Sequence, residues 1–172
     1  MTNRHIALAR KEDISALESL VNSAYRGDSS RQGWTHEADL LNGQRVDTAI
    51  IETMLADTNT TLLKYTEDDQ IIGCVSLEKT DDHAYLGMLT VNPALQTKGI
   101  GRSLLEAAEH YASQLGCTVI EMTVITVREE LIDWYIRRGY KNTGIVKAFP
   151  ADDTRFGIPV KPLEFVVLEK KI

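Results

Sequence analysis

Strand-like and helix-like apolar patterns alternate along the chain, and no repeat, low-complexity segment or linker interrupts them. Runs rich in β-branched residues predict strands, whereas apolar residues at 3.6-residue spacing predict amphipathic helices. The predicted strands cover about 6–9, 60–65, 71–77, 85–91, 118–124, 140–147 and 163–169, and the predicted helices about 14–24, 46–55, 101–115 and 129–138. Elements in this order fold into one sheet with helices on both faces. We therefore expect a single mixed α/β domain over residues 1–172.

Composition and charge limit the class of protein further. The 172 residues include 19 Lys plus Arg and 25 Asp plus Glu, and the resulting net charge of −6 disfavours a general nucleic-acid binder. No apolar run approaches the roughly 18 residues of a membrane span, and the N-terminus does not resemble a signal peptide. Cys74 and Cys117 lie in apolar stretches, which predicts buried, reduced thiols. We expect a cytoplasmic protein with no metal site, because the histidines show no paired ligand spacing.

The stretch from Leu89 to Arg102 runs from a predicted strand through a short loop into a predicted helix, and the loop ends in Gly-x-Gly. The start of a helix presents unpaired N–H groups that attract an anion, and glycines let a phosphate approach the backbone. Lys98 and Arg102 add positive charge there, and Thr97 adds a hydroxyl. These features predict a pyrophosphate cradle, although a plain tight turn remains an alternative. A P-loop would need Gly-Lys-Ser/Thr, and a Rossmann fingerprint would need glycine where Leu104 stands.

Two motifs together resemble those of GNAT-superfamily N-acetyltransferases. The first is Gln96-x-x-Gly99-x-Gly101 between a strand and a helix, which is similar to the superfamily's acetyl-CoA motif. The second is the pair Trp134-Tyr135 on a helix followed by Gly139-Tyr140 at the start of a strand. The order of the predicted elements agrees with this superfamily from about residue 6 to residue 169.

The resemblance implies a mostly antiparallel sheet whose central strands splay apart, with the pantetheine arm of the cofactor in the opening. It implies an acetyl-CoA-dependent enzyme that transfers acetyl directly to a primary amine of a small molecule or peptide in a ternary complex. The implied cofactor contacts are the backbone groups of Leu89, Thr90 and Val91 for pantetheine and those of Gln96, Thr97, Lys98, Gly99, Ile100, Gly101 and Arg102 for pyrophosphate. The alternatives are a non-catalytic acyl-CoA-binding module or sensor on the same fold and a different nucleotide-binding enzyme.

Two residues are candidates for the acid and base of this reaction. Tyr135 resembles the superfamily's general acid, because a phenol with a pKa of about 10 is neutral at pH 7 and can protonate a departing thiolate. Its alternative role is that of an aromatic core residue. Glu121 is the only charged residue in an apolar strand, and burial would raise its pKa toward that of a useful base. The alternatives for Glu121 are a structural ion pair and a position facing solvent. A strand N–H near Leu89 would stabilise the oxyanion.

The segment 33–39 falls where the superfamily covers its acceptor pocket. Trp34 could stack on the acceptor and Glu37 could hold a cation, while Glu37 and His36 are rival candidates for the general base. A surface loop with one packed tryptophan remains the alternative.

The loop 149–159 is longer than a hairpin turn needs, so Arg155 or Phe156 could line the acceptor pocket. An arginine there would favour an acceptor with a carboxylate, whereas the net charge weakly favours a cationic acceptor. A solvated loop is the alternative reading. Exposed strand edges make a homodimer a further expectation.

Arg128 departs from the resemblance, because many members of the superfamily have asparagine near the start of this helix. An arginine at this position could reach a phosphate or a pantetheine carbonyl. It could equally form an ion pair with Glu121 or Asp133.

Overall fold

The computed structural model describes residues 1–150 and 152–172, without the side chain of Phe156. The helices are α1 Ile14–Tyr25, α2 Gly27–Ser30, α3 Thr48–Ala56, α4 Ile100–Gln114 and α5 Glu129–Ile136. The strands are β1 Arg4–Leu8, β2 Leu41–Asn42, β3 Thr60–Glu67, β4 Gln70–Thr80, β5 His83–Val91, β6 Val119–Ile125, β7 Lys141–Ala148, β8 Ile158–Pro159 and β9 Glu164–Lys171. The predicted long elements are therefore confirmed, with ends that differ by a few residues.

Seven strands form one sheet in the order β1-β3-β4-β5-β6-β9-β7. Every neighbouring pair in this sheet is antiparallel except β5 and β6. A parallel pair needs a long crossover, and α4 supplies it between these two strands. The predicted fold class, a mixed α/β fold with a mostly antiparallel sheet, is confirmed.

Local sequence signals explain where several elements begin and end. Asp68 and Asp69 have φ angles of 47° and 66°, so the β3–β4 hairpin closes through a two-residue turn of the kind that matches strand twist. Asp47 accepts a hydrogen bond from the backbone N–H of Ile50 at 2.8 Å and caps the start of α3. Gly116 has a φ of 83°, a conformation that favours glycine at the end of a helix such as α4.

Helices cover the two faces of the sheet with separate apolar clusters. Leu104, Leu105 and Ala108 of α4 are fully or almost fully buried against one face. Leu17 of α1 and Ile51 of α3 are fully buried against the other face. Truncating a buried leucine to alanine costs about 2–5 kcal/mol, so this packing holds the start of α4 firmly beside the central strands.

The sheet opens between its two parallel strands. β5 and β6 pair only through His83–Val119, Ala84–Ile120 and Tyr85–Glu121, and no later residue of β5 pairs with a described residue of β6. β5 is also irregular against β4, with a register shift between Cys74 and Ser76. The backbone of β5 beyond Tyr85 therefore faces an opening in the middle of the sheet.

A second, two-stranded sheet joins the two long connections of the chain. It pairs Leu41 with Pro159 and Asn42 with Ile158, so the segment after α2 is fastened to the loop between β7 and β9. At one edge of the large sheet, every residue of β7 is exposed. Among the described residues, no helix has the length and apolar character needed to cross a bilayer.

Candidate functional site

A cavity of about 600 Å³ lies at the opening of the sheet, beside the start of α4 and the inner side of α5. Its described lining residues are Ala24, Tyr25, Trp34, Thr35, Leu89, Thr90, Val91, Gln96, Thr97, Gly99, Gly101, Arg102, Arg128, Leu131, Trp134, Tyr135, Arg137 and Arg138. The structure thus brings most of the predicted cofactor residues to one cavity. Lys98 is exposed and Ile100 is buried in the core, and neither belongs to the described lining of the cavity.

The backbone at the start of α4 forms the predicted cradle. Gly99 precedes the helix with φ 81° and ψ 3°, and Thr97 also has a positive φ of 71°. The first amide of the helix to bond backward is that of Ser103, which donates to the carbonyl of Gly99 at 3.0 Å. The amides before Ser103 lack an intrahelical acceptor, as the first turn of a helix dictates. They are therefore available to an anion.

Gly101 stands where the first turn of α4 approaches α5. A Cβ atom at this position would lie 3.5 Å from Cγ2 of Val91 and 3.7 Å from the indole ring of Trp134, which are ordinary contact distances. The space beside Gly101 accepts a methyl group, and a longer side chain would extend into the cavity beside the cradle amides.

Arg102, Arg137 and Arg138 line the cavity and are close enough for their charges to interact. The guanidinium of Arg138 lies 3.7 Å from the ring centre of Trp134, and its Nε is buried with no partner among the described residues. Burial lowers the pKa of Arg138, and the charges of Arg137 and Arg102 lower it further. Arg102 also pairs with Glu106 at 2.8 Å. This cluster of positive charge suits a phosphate-bearing ligand, and only Arg102 of its members was predicted from the sequence.

Tyr135 lies in the wall of the cavity and is 5% exposed. Its ring packs edge-on against Trp134 and Tyr140, with centroids 5.0 and 5.6 Å away. Burial raises the pKa of Tyr135 above its ordinary value of 10.0, so the phenol stays protonated at neutral pH. No described residue accepts a hydrogen bond from its hydroxyl, which leaves that proton for a ligand.

The β5 wall of the cavity consists of Leu89, Thr90 and Val91, as expected. The hydroxyl of Tyr25, at the end of α1, donates a hydrogen bond to the carbonyl of Leu89 at 2.9 Å. Tyr25 is not among the residues predicted from the sequence, because 64 positions separate it from Leu89 and no local pattern marks their contact.

The side chain of Gln96 connects the cradle to the segment between α2 and β2. Its Oε1 accepts a hydrogen bond from the backbone N–H of Trp34 at 2.9 Å, and its Nε2 donates to the carbonyl of Val91 at 3.3 Å. The side chain of Trp34 remains 39% exposed at the rim of the cavity. Trp34 therefore lies in the cavity lining beside the cradle, and its contact with an acceptor stays a prediction.

Glu37 and Arg128 belong to a buried ion-pair network, which corrects two expectations. Arg26 donates to Oε2 of Glu37 at 2.9 and 3.1 Å, and Arg128 donates to Oε1 at 3.0 Å. Arg128 also donates to the hydroxyl of Thr35 at 2.7 Å. Glu37 was expected to hold a substrate cation or act as a base, but arginines occupy both of its oxygens. Arg128 pairs with Glu37 and not with Glu121 or Asp133, the two alternative partners. Arg128 also lines the cavity, so its contact with the cofactor stays a prediction.

Two further predicted site residues have surroundings that the sequence did not indicate, and their roles stay predictions. Glu121 is half-buried and lies in register between Tyr85 and Glu169, outside the described lining of the cavity. Arg155 is exposed, pairs with Asp153 at 2.7 Å and is likewise outside that lining. Glu121 has two polar neighbours on the adjacent strands, Tyr85 and Glu169, which the apolar sequence of its own strand did not indicate.

The roles of the two remaining candidates, Phe156 and His36, stay predictions. The side chain of Phe156 lies outside the described part of the chain. His36 accepts a hydrogen bond from the N–H of Ala38 at 3.2 Å and does not belong to the described cavity lining.

The two cysteines and the residue types that bind metal ions can be located among the described residues. Cys74 is fully buried and Cys117 is 3% exposed, so both predicted free thiols lie in the interior. Burial raises the pKa of the Cys74 thiol to about 12. In residues 1–150 and 152–172, no group of three or more His, Cys, Asp or Glu side chains could hold a metal ion.

An opened sheet beside an amide cradle is an arrangement that suits an extended ligand with an anionic end. The sequence model of the acetyltransferase (GNAT) family matches residues 15–147. The chain therefore belongs to the GNAT family. A protein of Xenopus tropicalis named Probable N-acetyltransferase 14 is 35% identical over 80 residues, a match that covers 45% of this chain and 39% of that relative.

Solved structures with the same fold are similar over nearly the full chain. The ribosomal-protein-S18-alanine N-acetyltransferase of Escherichia coli superposes with a TM-score of 0.74, at 14% identity and over 99% of this chain and 94% of that one. The PaiA N-acetyltransferase of Thermoplasma acidophilum, solved in complex with coenzyme A, gives a TM-score of 0.70 at 18% identity and covers 99% of both chains. At these identities the likeness concerns the fold.

Proposed function

We propose that the chain is an acetyl-CoA-dependent N-acetyltransferase that transfers acetyl directly to a primary amine of a small molecule or peptide. The observation that carries this proposal is the position of the amides before Ser103, which border the cavity where β5 and β6 separate. An anion on these amides places an attached arm along Leu89, Thr90 and Val91, with its end near Tyr135. We also retain the cytoplasmic location and the homodimer as predictions from the sequence.

The residues present fit coenzyme A in charge and space. A Cβ atom at Gly99 would meet nothing within 4 Å, so the cradle is open on that side. Arg102, Arg137 and Arg138 supply positive charge beside the cradle, and Arg138 carries an unpartnered Nε. This combination supports recognition of a phosphate-rich cofactor.

The side chains and backbone of the site provide three functions that acetyl transfer needs. In the proposed reaction the N–H of Leu89 donates to the thioester carbonyl oxygen, which gains negative charge as the amine nitrogen bonds to the carbonyl carbon. Tyr135 gives its phenolic proton to sulfur as the carbon–sulfur bond breaks. The amine must lose a proton before it attacks, because an alkylamine has a pKa of about 10.4. Glu121, acting through water, is the candidate acceptor of that proton.

Ligand-induced stabilisation tests the cofactor assignment. A ligand at 100 times its dissociation constant stabilises a protein by about 2.7 kcal/mol, so acetyl-CoA should raise the melting temperature while NAD and ATP should not. A panel of amines, amino acids and peptide N-termini, screened for release of the CoA thiol, then tests catalysis. Stabilisation by acetyl-CoA without thiol release for any acceptor would favour the non-catalytic sensor. Stabilisation by NAD or ATP alone would overturn the proposal.

A further inference from the structure

We propose that Tyr25 is a positioning residue for acyl transfer, whose hydroxyl holds the backbone of Leu89 so that the Leu89 N–H faces the reacting carbonyl oxygen. The inference rests on the proposed function and adds a residue that belongs to neither motif of the resemblance. It starts from the 2.9 Å hydrogen bond between the Tyr25 hydroxyl and the Leu89 carbonyl.

The opening of the sheet removes the normal support of Leu89. β5 loses β6 as a neighbour after Tyr85, so its backbone groups on that side have no partner in a strand ladder. A residue that pairs within a ladder directs its N–H and its C=O toward the same neighbouring strand. The hydroxyl of Tyr25 takes the place of that strand at the Leu89 carbonyl. The same contact sets the direction of the Leu89 N–H.

The residue before Leu89 makes such support necessary. Met88 has a φ of 53°, in the left-handed region that residues with a side chain rarely adopt, and it lies next to the irregular pairing of β4 with β5. Backbone in this region persists only where its surroundings hold it. The hydroxyl of Thr90 donates to the carbonyl of Met88 at 2.9 Å, and Tyr25 holds the next carbonyl.

The surroundings of Tyr25 keep its hydroxyl a donor. Tyr25 is the last residue of α1 and lines the cavity, and the guanidinium of Arg45 lies 5.5 Å from its ring centre. Burial raises the pKa of Tyr25, so the phenol keeps its proton at neutral pH. Tyr25 and Tyr135 thus have different tasks, because the proton of Tyr25 is engaged by backbone whereas that of Tyr135 is available to a ligand.

Tyr25→Phe tests the inference without knowledge of the acceptor. The readout is hydrolysis of acetyl-CoA, in which water oxygen bonds to the carbonyl carbon, the carbon–sulfur bond breaks, and acetate and the CoA thiol are released. Loss of a direct oxyanion donor costs about 100- to 1,000-fold in turnover, so a misdirected donor should cost about 10- to 100-fold. We expect this fall in turnover with CoA affinity by calorimetry within about twofold of wild type and an unchanged pH profile. The matched control is Tyr111→Phe, which removes a half-buried phenol in the last turn of α4 and should leave both quantities unchanged.

Two further measurements separate positioning from structural and proton-transfer roles. A chain with 4-aminophenylalanine at position 25 keeps a hydrogen-bond donor at the same place and should recover most of the wild-type turnover. This variant also tests the inference if Tyr25→Phe fails to fold. The double variant of Tyr25→Phe with Tyr135→Phe should multiply the two losses, because independent steps are additive in free energy. A double variant no slower than Tyr135→Phe alone would make Tyr25 part of a proton relay and overturn the inference.

The outcomes also separate this inference from the proposed function. Wild-type turnover in Tyr25→Phe, or a loss of turnover matched by an equal loss of CoA affinity, overturns the role of Tyr25 alone. A wild-type chain that does not bind acetyl-CoA overturns the proposed function and the role of Tyr25 together.

Discussion

The side chain of Gln96 holds the backbone of Trp34 through a hydrogen bond of 2.9 Å, in which Oε1 of Gln96 accepts from the N–H of Trp34. Gln96 adjoins the anion cradle, and Trp34 lies on the segment that the small second sheet fastens to the β7–β9 loop. The two substrate regions of the proposed enzyme therefore share one side chain. A Cβ atom at Gly33 would collide with the Gln96 side chain, so glycine at position 33 permits this close approach.

Replacing Gln96 with alanine should weaken binding of the acceptor more than binding of the cofactor. One net hydrogen bond contributes about 0.5–1.5 kcal/mol, so releasing Trp34 should raise the acceptor KM by about 2- to 10-fold. The affinity for CoA should change by less than about twofold, because the cradle uses backbone amides. Steady-state kinetics and calorimetry measure the two effects. Gln114→Ala, at the exposed end of α4, is the control, and a loss of CoA affinity with unchanged acceptor KM would contradict the coupling.

Tyr135→Phe should lower turnover by about 10- to 1,000-fold, the range for a lost general acid. The affinity for CoA should stay near that of wild type, since the ring remains in place. Because burial raises the pKa of Tyr135 above 10.0, its deprotonation should not limit the rate of wild type below pH 10. Tyr65→Phe, at a buried tyrosine of β3 outside the described cavity lining, is the control. Equal turnover in Tyr135→Phe and wild type would remove Tyr135 from the mechanism.

Gly101→Asp and Gly101→Ala should separate the effect of added negative charge at the cradle from the effect of added side-chain volume. The methyl group of alanine meets ordinary contacts at 3.5 and 3.7 Å, so Gly101→Ala should bind CoA nearly as well as wild type. The carboxylate of aspartate would oppose a phosphate, and two like charges about 4 Å apart repel by about 4 kcal/mol at intermediate dielectric. We therefore expect about a 100-fold loss of CoA affinity or more by calorimetry. Unchanged affinity in Gly101→Asp would refute the position of the cradle.

Glu37→Gln should destabilise the fold far more than a comparable change at the surface. Breaking a buried ion pair costs about 3–5 kcal/mol, because Arg26 and Arg128 would remain close together without the shared carboxylate. Asp39→Asn is the matched control, since Asp39 pairs with Arg31 at 2.8 Å on the exposed surface, where such pairs contribute about 0–1 kcal/mol. Urea denaturation measures both changes. Similar losses of unfolding free energy in the two variants would show that the buried ion pairs stabilise the fold no more than the exposed pair does.

Neither cysteine should react with a thiol reagent in the folded protein. Burial raises the pKa of Cys74 from 9.0 to about 12, so its thiolate is scarce at pH 8. Because the folded pKa exceeds the unfolded one, Cys74 stabilises the fold below pH 9 and that stability is lost as the pH rises from 9 toward 12. Titration should find no reactive thiol in the native protein and two in guanidinium. Rapid labelling of the native protein would contradict this burial.

The candidate cofactor site could be predicted largely from sequence because its parts are neighbours in the chain. Gln96, Gly99 and Gly101 stand within six positions, and the strand before them and the helix after them are visible as periodic patterns. The backbone conformation at Gly99 follows from a loop that turns directly into a helix. Local steric and hydrogen-bonding preferences determine such a unit before the rest of the chain is considered.

The tertiary structure alone decided which distant side chains meet. Tyr25 reaches Leu89 across 64 positions, and Arg128 reaches Glu37 across 91, so packing of α1 and α5 against the sheet selects these partners. Glu121 was expected in an apolar interior, but its strand register places it beside Tyr85 and Glu169. Periodicity reports which face of an element is apolar, and it carries no information about what other elements bring to that face. The cradle therefore follows from local sequence, whereas the partners of Tyr25, Arg128 and Glu121 follow from long-range packing.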